Sequence, residues 1–471
     1  MRFMYLYSLQ VGLFLVFLFF YGFESAVWAN VGEVFGFGSR TGALAGSAVA
    51  SGFDSYAAYT NPAGLGFSVS RDRKASLGIG FIYMEPRFIS IDNVYVENQY
   101  VSDKDRIGSV DTIYQPTFGQ SLGASFQISE QRHWALGVVT YLPANQAALI
   151  DTGEAYHPEY LLYRARTQRP QVEVGVGGEL TPALYFGAGM HLAFSITANA
   201  NVFLNSDPNK PSTMRFSSSI KPKASPYFGL LWKPLRPSQS FLLGTVIRLP
   251  ATSDVSLALN SGARLFGTLA ALDFNFTALS TLLYDPLTIQ MGSSWEHAPG
   301  WRFHGQFDYL FWNKLRSPAL QIQSPDITSC SENSGACGFA ISPGKNPIAS
   351  FQNVLIPRIA EEVNIGKTVV RFGYSYQPSL LAVLPTGAGN DLDPPQHILT
   401  AGVGIPVDHF LRTSLSAKVD INAAYHSLNT QHITKTSGNE GGISGDYKIG
   451  APGYDAGGKI FGGGVSLSLS I

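Results

Sequence analysis

Apolar and polar residues alternate with a period of two over much of this chain, most cleanly at its C-terminal end. There Val465, Leu467, Leu469 and Ile471 fall on one face, and Ser466, Ser468 and Ser470 on the other. From Leu415 to His426 the apolar set is Leu415, Ala417, Val419, Ile421, Ala423 and Tyr425. Interleaved with it are Ser416, Lys418, Asp420, Asn422 and His426. The stretch WRFHGQFDYLFW sets Trp301, Phe303, Phe307, Tyr309 and Phe311 against Arg302, His304, Gln306 and Asp308. In VVRFGYSY, Val370, Phe372, Tyr374 and Tyr376 oppose Arg371, Gly373 and Ser375. Shorter versions cover 77–83, 172–176 and 399–405. Successive side chains of a strand point to opposite faces, so these segments predict β-strands with one apolar face. A soluble sandwich also alternates, but its polar face meets bulk water and carries more charge. Here that face is often Gly or Ser, which suits a crowded interior. The pattern predicts a transmembrane antiparallel β-barrel, with a secreted sandwich as the runner-up.

The connections support the barrel. Short ones rich in turn formers, SEQRH (129–133), LTPAL (180–184), EHAPGW (296–301) and PVDHF (406–410), alternate with long ones. The long ones cover 91–112, 144–169, 315–350, 380–395 and 429–456. Short turns on one rim and long loops on the other are expected of outer-membrane barrels, and the count comes to about fourteen strands if 263–282 is loop. An even count returns both chain ends to the periplasmic side.

The N-terminus supplies an address. Arg2 precedes an apolar run from Val11 to Tyr21, and Val27 and Ala29 fit the small-residue positions of a signal-peptidase site. Residues 1–29 therefore predict a cleaved secretory signal. The competing reading, an uncleaved anchor, needs a longer run, since spanning takes roughly 20 apolar residues.

Composition agrees. Charged residues make up 14% of the chain, below the roughly 25% of a soluble domain, while Gly (49), Phe (31) and Tyr (22) are abundant. A formal net charge of −1 offers no electrostatic case for nucleic acid. No apolar run after the signal reaches the length of a membrane-spanning helix. Cys330 and Cys337, in the polar loop SCSENSGAC, predict one disulfide in an exported chain; a metal site there would need further ligands that no nearby His supplies.

Motifs that could carry catalysis do not hold up, and the chain reads as a non-enzyme with no cofactor and no metal. GYDAGGK (453–459) has P-loop spacing, but Ile460 stands where Ser or Thr is needed and a strand follows instead of a helix. GFGSRTG (36–42) lacks dinucleotide-binding spacing, and GNDLDPP (389–395) is only a loose lookalike of a calcium loop. Arg302, Arg371 and Lys418 on the polar faces are candidate receivers of a ligand carboxylate. The plainer alternative is that they pair with Asp308 and Asp420 to fill the lumen. The run ARLFGTLAALDFNFTALSTLL (263–283) is too apolar for an ordinary exposed loop, and Arg264, Asp273 and Asn275 argue against a spanning helix. It reads either as an extracellular collector of apolar ligand or as an extension of two neighbouring strands.

One segment is more specific than any strand. VFGFGSRTGALAGSAVASGFDSYAAYTNPAGLGF carries Gly38, Arg40, Gly42, Gly46, Ala48 and Asp54, then Asn61-Pro62-Ala63-Gly64-Leu65. It resembles the N-terminus of the FadL/TodX family of outer-membrane transporters. WALGVVTYLP (134–143), DYLFWNKL (308–315), RFGYSYQPS (371–379), HILTAGVGIPV (397–407) and the closing KIFGGGVSLSLSI are similar to its barrel pieces. Ile471 departs from the aromatic residue that ends many outer-membrane proteins.

The resemblance implies a fourteen-stranded barrel over 71–471, plugged by a hatch over 30–70, in the bacterial outer membrane. It implies passive uptake of long-chain fatty acids or related hydrophobic compounds, leaving sideways through the barrel wall into lipid. Aromatic hydrocarbon transport and a general-diffusion or structural barrel are the alternatives. The implied partners are a small hydrophobic ligand and membrane lipid, with the protein acting as a monomer. Asn61, Pro62, Ala63 and Gly64 would form the gate, against an inward kink of the third strand at about 132–143, which contains Gly137. Proline fixes its own φ and restricts Asn61, so such an element is rigid. The simpler reading is a turn leading the chain into its first strand. A sideways exit suits an apolar ligand, because exposure to water costs it about 0.8 kcal/mol per CH₂.

Overall fold

The computed structural model describes residues 37–69, 74–97, 108–110, 112, 114–144, 158–160, 163, 170–205, 213–234, 240–264, 271–315, 321–328, 350–386, 390–408, 415–435 and 448–471. The predicted signal (1–29) and the Cys330–Cys337 pair lie outside these residues.

Fourteen antiparallel strands close into one barrel. They are β1 (Ala75–Phe88), β2 (Thr117–Ser129), β3 (Trp134–Pro143), β4 (Gln171–Thr181), β5 (Leu184–Asn205), β6 (Thr213–Trp232) and β7 (Phe241–Arg248). The second half comprises β8 (Thr288–Ala298), β9 (Trp301–Leu310), β10 (Val354–Ile365), β11 (Thr368–Gln377), β12 (Gln396–Pro406), β13 (Ser416–Thr434) and β14 (Gly453–Ser470). Each strand pairs with the next, and β14 closes on β1 from Ser76↔Ser470 to Phe88↔Gly458. Closure matters because lipid offers no partner to an unpaired strand edge.

The pairing turns each alternating sequence into an apolar outside and a polar inside. On β9, Phe307 is 57% exposed while its neighbour Asp308 is 2% exposed. On β11, Phe372 is exposed and Arg371 fully buried; on β14, Val465 and Leu467 face out and Ser466 faces in. A chain that exposes its phenylalanines and buries its charges is built for lipid, and this is the architecture of outer-membrane barrels.

The two rims differ as expected. Short turns join β2 to β3, β4 to β5, β8 to β9 and β10 to β11. Exposed Trp232, Trp295 and Trp301 stand at strand ends on this short-turn rim, the place an indole prefers at a membrane interface. At the opposite rim lie the long connections.

Two sequence expectations need correction. Residues 263–264 and 271–282 are strand, not loop. They belong to a separate hairpin, Ala251–Arg264 and Ala271–Asp285, inserted between β7 and β8 but outside the fourteen-strand wall. Its first strand pairs in parallel with the upper end of β5, from Val255↔Ile196 to Arg264↔Asn205. Its second strand pairs with Gln321–Thr328. Period-two alternation could not separate wall from hairpin, because both are strands. The side chains of the collector run lie almost entirely outside the described residues. The loop expected at 429–456 is also shorter, since β13 runs on to Thr434 and β14 begins at Gly453. GYDAGGK is thus strand, not phosphate loop.

Candidate functional site: the hatch and the lumen around it

The described part of the N-terminal segment folds inside the barrel as three short helices: α1 (Gly38–Ala43), α2 (Ala57–Thr60) and α3 (Ala63–Val69). Such short helices have little stability alone, so packing against the wall must hold them. Phe37, Tyr56, Tyr59, Leu65 and Val69 form one apolar cluster with Ala135, Val139 and Tyr141 of β3. Phe53, Ala63 and Phe67 form another with Tyr185, Leu231 and Leu242 of β5, β6 and β7.

Asn61 and Pro62 do not turn the chain into the first strand. They open α3. Asn61 Oδ1 accepts the Ala63 N–H at 3.0 Å, and the Gly64 N–H donates to Asn61 O at 2.8 Å. This is an asparagine N-cap followed by proline at the first helical position. Asn61 Nδ2 donates to Val49 O at 2.8 Å and to Leu230 O of β6 at 3.0 Å, so one buried side chain ties helix, hatch and wall together.

The element also sits elsewhere than the resemblance implied. Side chains added at Gly177 of β4 or Gly187 of β5 would collide with Pro62 or its carbonyl, and at Gly229 of β6 with Asn61. Asn-Pro-Ala therefore presses on β4–β6. The third strand, β3, meets Leu65 and Ala58 at Gly137. Its ladder keeps register from Gly119↔Pro143 to Gln127↔Ala135 on one side and from Ala135↔Gly177 to Tyr141↔Gln171 on the other. Over these pairs β3 carries no register shift.

The opposite side of the hatch is held by charge. Arg40 Nη2 lies 2.6 Å from Glu362 Oε1, and Arg40 Nη1 donates to Ser51 O at 2.7 Å. Burial opposes the charged guanidinium, but the Glu362 carboxylate beside it outweighs that and raises the Arg40 pKa. Arg358 Nε pairs with Asp308 at 2.6 Å while its Nη1 donates to Ala45 O at 2.7 Å. Gln306 Oε1 accepts the Val49 N–H, and Thr400 Oγ1 donates to Ala43 O.

The three expected ligand-receiving cations are all engaged. Arg371 bridges Glu362 and Asp420, each at 2.7 Å. Lys418 lies 3.3 Å from Asp420. Arg302 is not part of this group; it pairs with Glu296 at 2.5 Å across the β8–β9 turn, and Asp308 takes Arg358 instead. Sequence reasoning missed Glu362, Arg358 and the anchoring role of Arg40. The available signal was Arg358 and Glu362, four positions apart and so on one face of the otherwise apolar stretch VLIPRIAEEV (354–363).

Above this polar band, towards the long loops, the lumen turns apolar. Met84, Ile91, Tyr114, Tyr160, Trp312, Leu392, Tyr454 and Ile460 belong to one buried cluster. Phe88 stacks on Tyr160 with centroids 3.8 Å apart, and the Tyr160 hydroxyl donates to Gly457 O at 2.9 Å. Between this cluster and the hatch, inward side chains of β4–β8 enclose a small polar cavity over Tyr59, lined by Glu173, His191, Tyr227, Arg248 and Gln290.

Closed wall, apolar exterior and filled lumen together define a plugged transmembrane barrel. The same fold is seen in a Pseudomonas aeruginosa FadL homologue, with a TM-score of 0.54 at 12% identity over 95% of this chain and 99% of that one. It recurs in the P. putida toluene transporter TodX (0.51, 12% identity, 93% and 99% covered). The CymD monoaromatic hydrocarbon channel is similar (0.50, 12% identity, 94% and 99% covered). At this identity the likeness establishes the fold. No family model and no curated protein sequence matches the chain.

Proposed function

We propose that the protein is an outer-membrane transporter for passive uptake of hydrophobic compounds, related to the FadL/TodX proteins that its N-terminal stretch resembles. The observation that carries this reading is the order inside the barrel: an apolar cluster near the long loops and, towards the short-turn rim beside the buried ion pairs, a hatch that fills the lumen. An apolar solute is received by the first and denied a water-filled path by the last. In this reading residues 1–29 are the export signal, 30–70 the hatch and 71–471 the barrel, and the protein works as a monomer.

Long-chain fatty acids and aromatic hydrocarbons are the two substrate classes in play. The ion pairs of Arg302, Arg371 and Lys418 favour uncharged compounds, because each cation is already neutralised by a carboxylate of the protein. Lateral release belongs to the proposal too, with the β4–β6 wall beside Pro62 as the exit rather than β3. The test is saturable binding of a fluorescent hydrophobic probe by the purified protein, paired with planar-bilayer conductance. Saturable binding with electrical silence is expected. Large ion-permeable steps without binding would mark a general-diffusion pore and remove the reading.

A further inference from the structure

We propose that the cavity over Tyr59 is a head-group site for hydrophobic compounds bearing a neutral hydroxyl, and that it selects them over ionised carboxylates. This rests on the transport reading above and names the substrate class within it.

Glu173 projects inward from β4, at 1% exposure. Its Oε1 lies 2.6 Å from His191 Nδ1, and among the described residues its Oε2 has no hydrogen-bond partner. A buried carboxylate oxygen without a donor is uncommon and calls for one. The opposite nitrogen of His191 lies 3.5 Å from Asp285 Oδ2, so the imidazole stands between two carboxylates. Arg248 enters from β7 with its guanidinium 4.5 Å from the Tyr59 ring centroid and 4.8 Å from that of Tyr227. Its Nη2 donates to the Tyr59 carbonyl and its Nε approaches Gln290 at 3.5 Å. The Tyr227 hydroxyl donates to Ala58 O at 2.6 Å.

The cavity therefore offers a free acceptor, while its cation is held by rings and a backbone carbonyl. A carboxylate would meet Glu173 and Asp285 and be repelled. A hydroxyl would donate to Glu173 Oε2 without bringing charge. Pro226, Leu249 and Pro286 supply apolar contact around the polar atoms. The volume, ≈ 40 Å³, exceeds that needed for one water and accommodates a hydroxyl with its first carbon. The floor is Tyr59, two residues before Asn61, so an occupant touches the hatch directly beside its N-cap.

The test is displacement of a fluorescent hydrophobic probe from the purified full-length protein by decanol, decane and decanoate at neutral pH. Decanol should compete about tenfold or more better than the other two, the gain expected for a hydrogen bond to a charged acceptor. Glu173→Ala should remove that advantage and leave decane unchanged. Glu173→Gln keeps an acceptor oxygen but loses the charge, so it should strengthen decanoate relative to decanol. Heat-modifiable gel mobility confirms that each variant is folded. Equal competition by decanol and decane in the wild type, as for a cavity that holds only water, overturns the head-group site and leaves the transport reading standing. So does an equal loss of all three ligands in folded Glu173→Ala. Absence of binding by the probe itself overturns both.

Discussion

The carbonyl of Pro62 lies against the backbone of Gly177, so close that position 177 has no room for a side chain. Gly187 and Gly229 complete the seat on the two following strands. The hatch is thus fitted to β4–β6 by missing side chains and to β9, β10 and β12 by the Arg40–Glu362 ion pair and hydrogen bonds with Gln306, Arg358 and Thr400. These two attachments differ in kind, and they can be perturbed separately.

Gly177→Val should displace the hatch without dissolving the barrel. Overpacking of this sort costs about 1–3 kcal/mol. The expected result is a folded, heat-modifiable barrel that conducts ions across a planar bilayer where the wild type is silent. Silence in the variant would mean the hatch does not close the lumen at this wall.

Asn61→Ala removes an N-cap and two side-chain hydrogen bonds at once. Loss of the cap alone is worth about 0.5–2 kcal/mol. Hydrogen exchange across 57–69 should accelerate while the barrel strands remain protected. Asn61→Asp keeps the cap oxygen but sets a buried carboxylate oxygen against the Val49 and Leu230 carbonyls, so it should accelerate exchange at least as much as alanine.

Arg371→Ala leaves Asp420 with Lys418 alone and takes one of two arginine partners from Glu362. Breaking a buried pair on one side costs about 3–5 kcal/mol. Denaturant unfolding followed by tryptophan fluorescence should shift to a lower midpoint. Arg302→Ala, which breaks a half-exposed pair at the turn, should move the midpoint little.

Asp391 pairs with Glu159 in a short parallel bridge among the long connections, and burial pushes its carboxyl up to about 6. A raised carboxyl pKa means the folded state favours the neutral acid. Its contribution is complete below the unfolded value of 3.8 and is lost as pH rises through about 6. Limited proteolysis of this layer should therefore be slower at pH about 4 than at neutral pH, and Asp391→Asn should flatten the difference. An unchanged pH profile in that variant would assign the dependence to another group.

Much of the fold was legible from the chain. Phe307 beside Asp308, and Phe372 beside Arg371, reported both strand and facing, because a wall between lipid and lumen needs opposite chemistry at adjacent residues. Turn-rich segments such as EHAPGW marked one rim. The candidate site was legible only in outline. Asn61 and Pro62 stood out as stiff and uncharged, but whether they turned into a strand or capped a helix depended on what AGLGFSV did next. Seven residues of weak helical preference become helical here because Phe67 and Leu65 find partners on β5 and β3.

Alternation along single strands thus determined a barrel with an apolar exterior, since that property is local and repeats at every second residue. Tertiary structure alone decided which carboxylate each buried arginine meets, which strands receive the hatch, and that 251–285 lies outside the wall. Those outcomes depend on registers between strands and on contacts spanning hundreds of residues, such as Arg40 with Glu362 and Asn61 with Leu230. No local pattern encodes such a distance. Closure of the barrel imposes it.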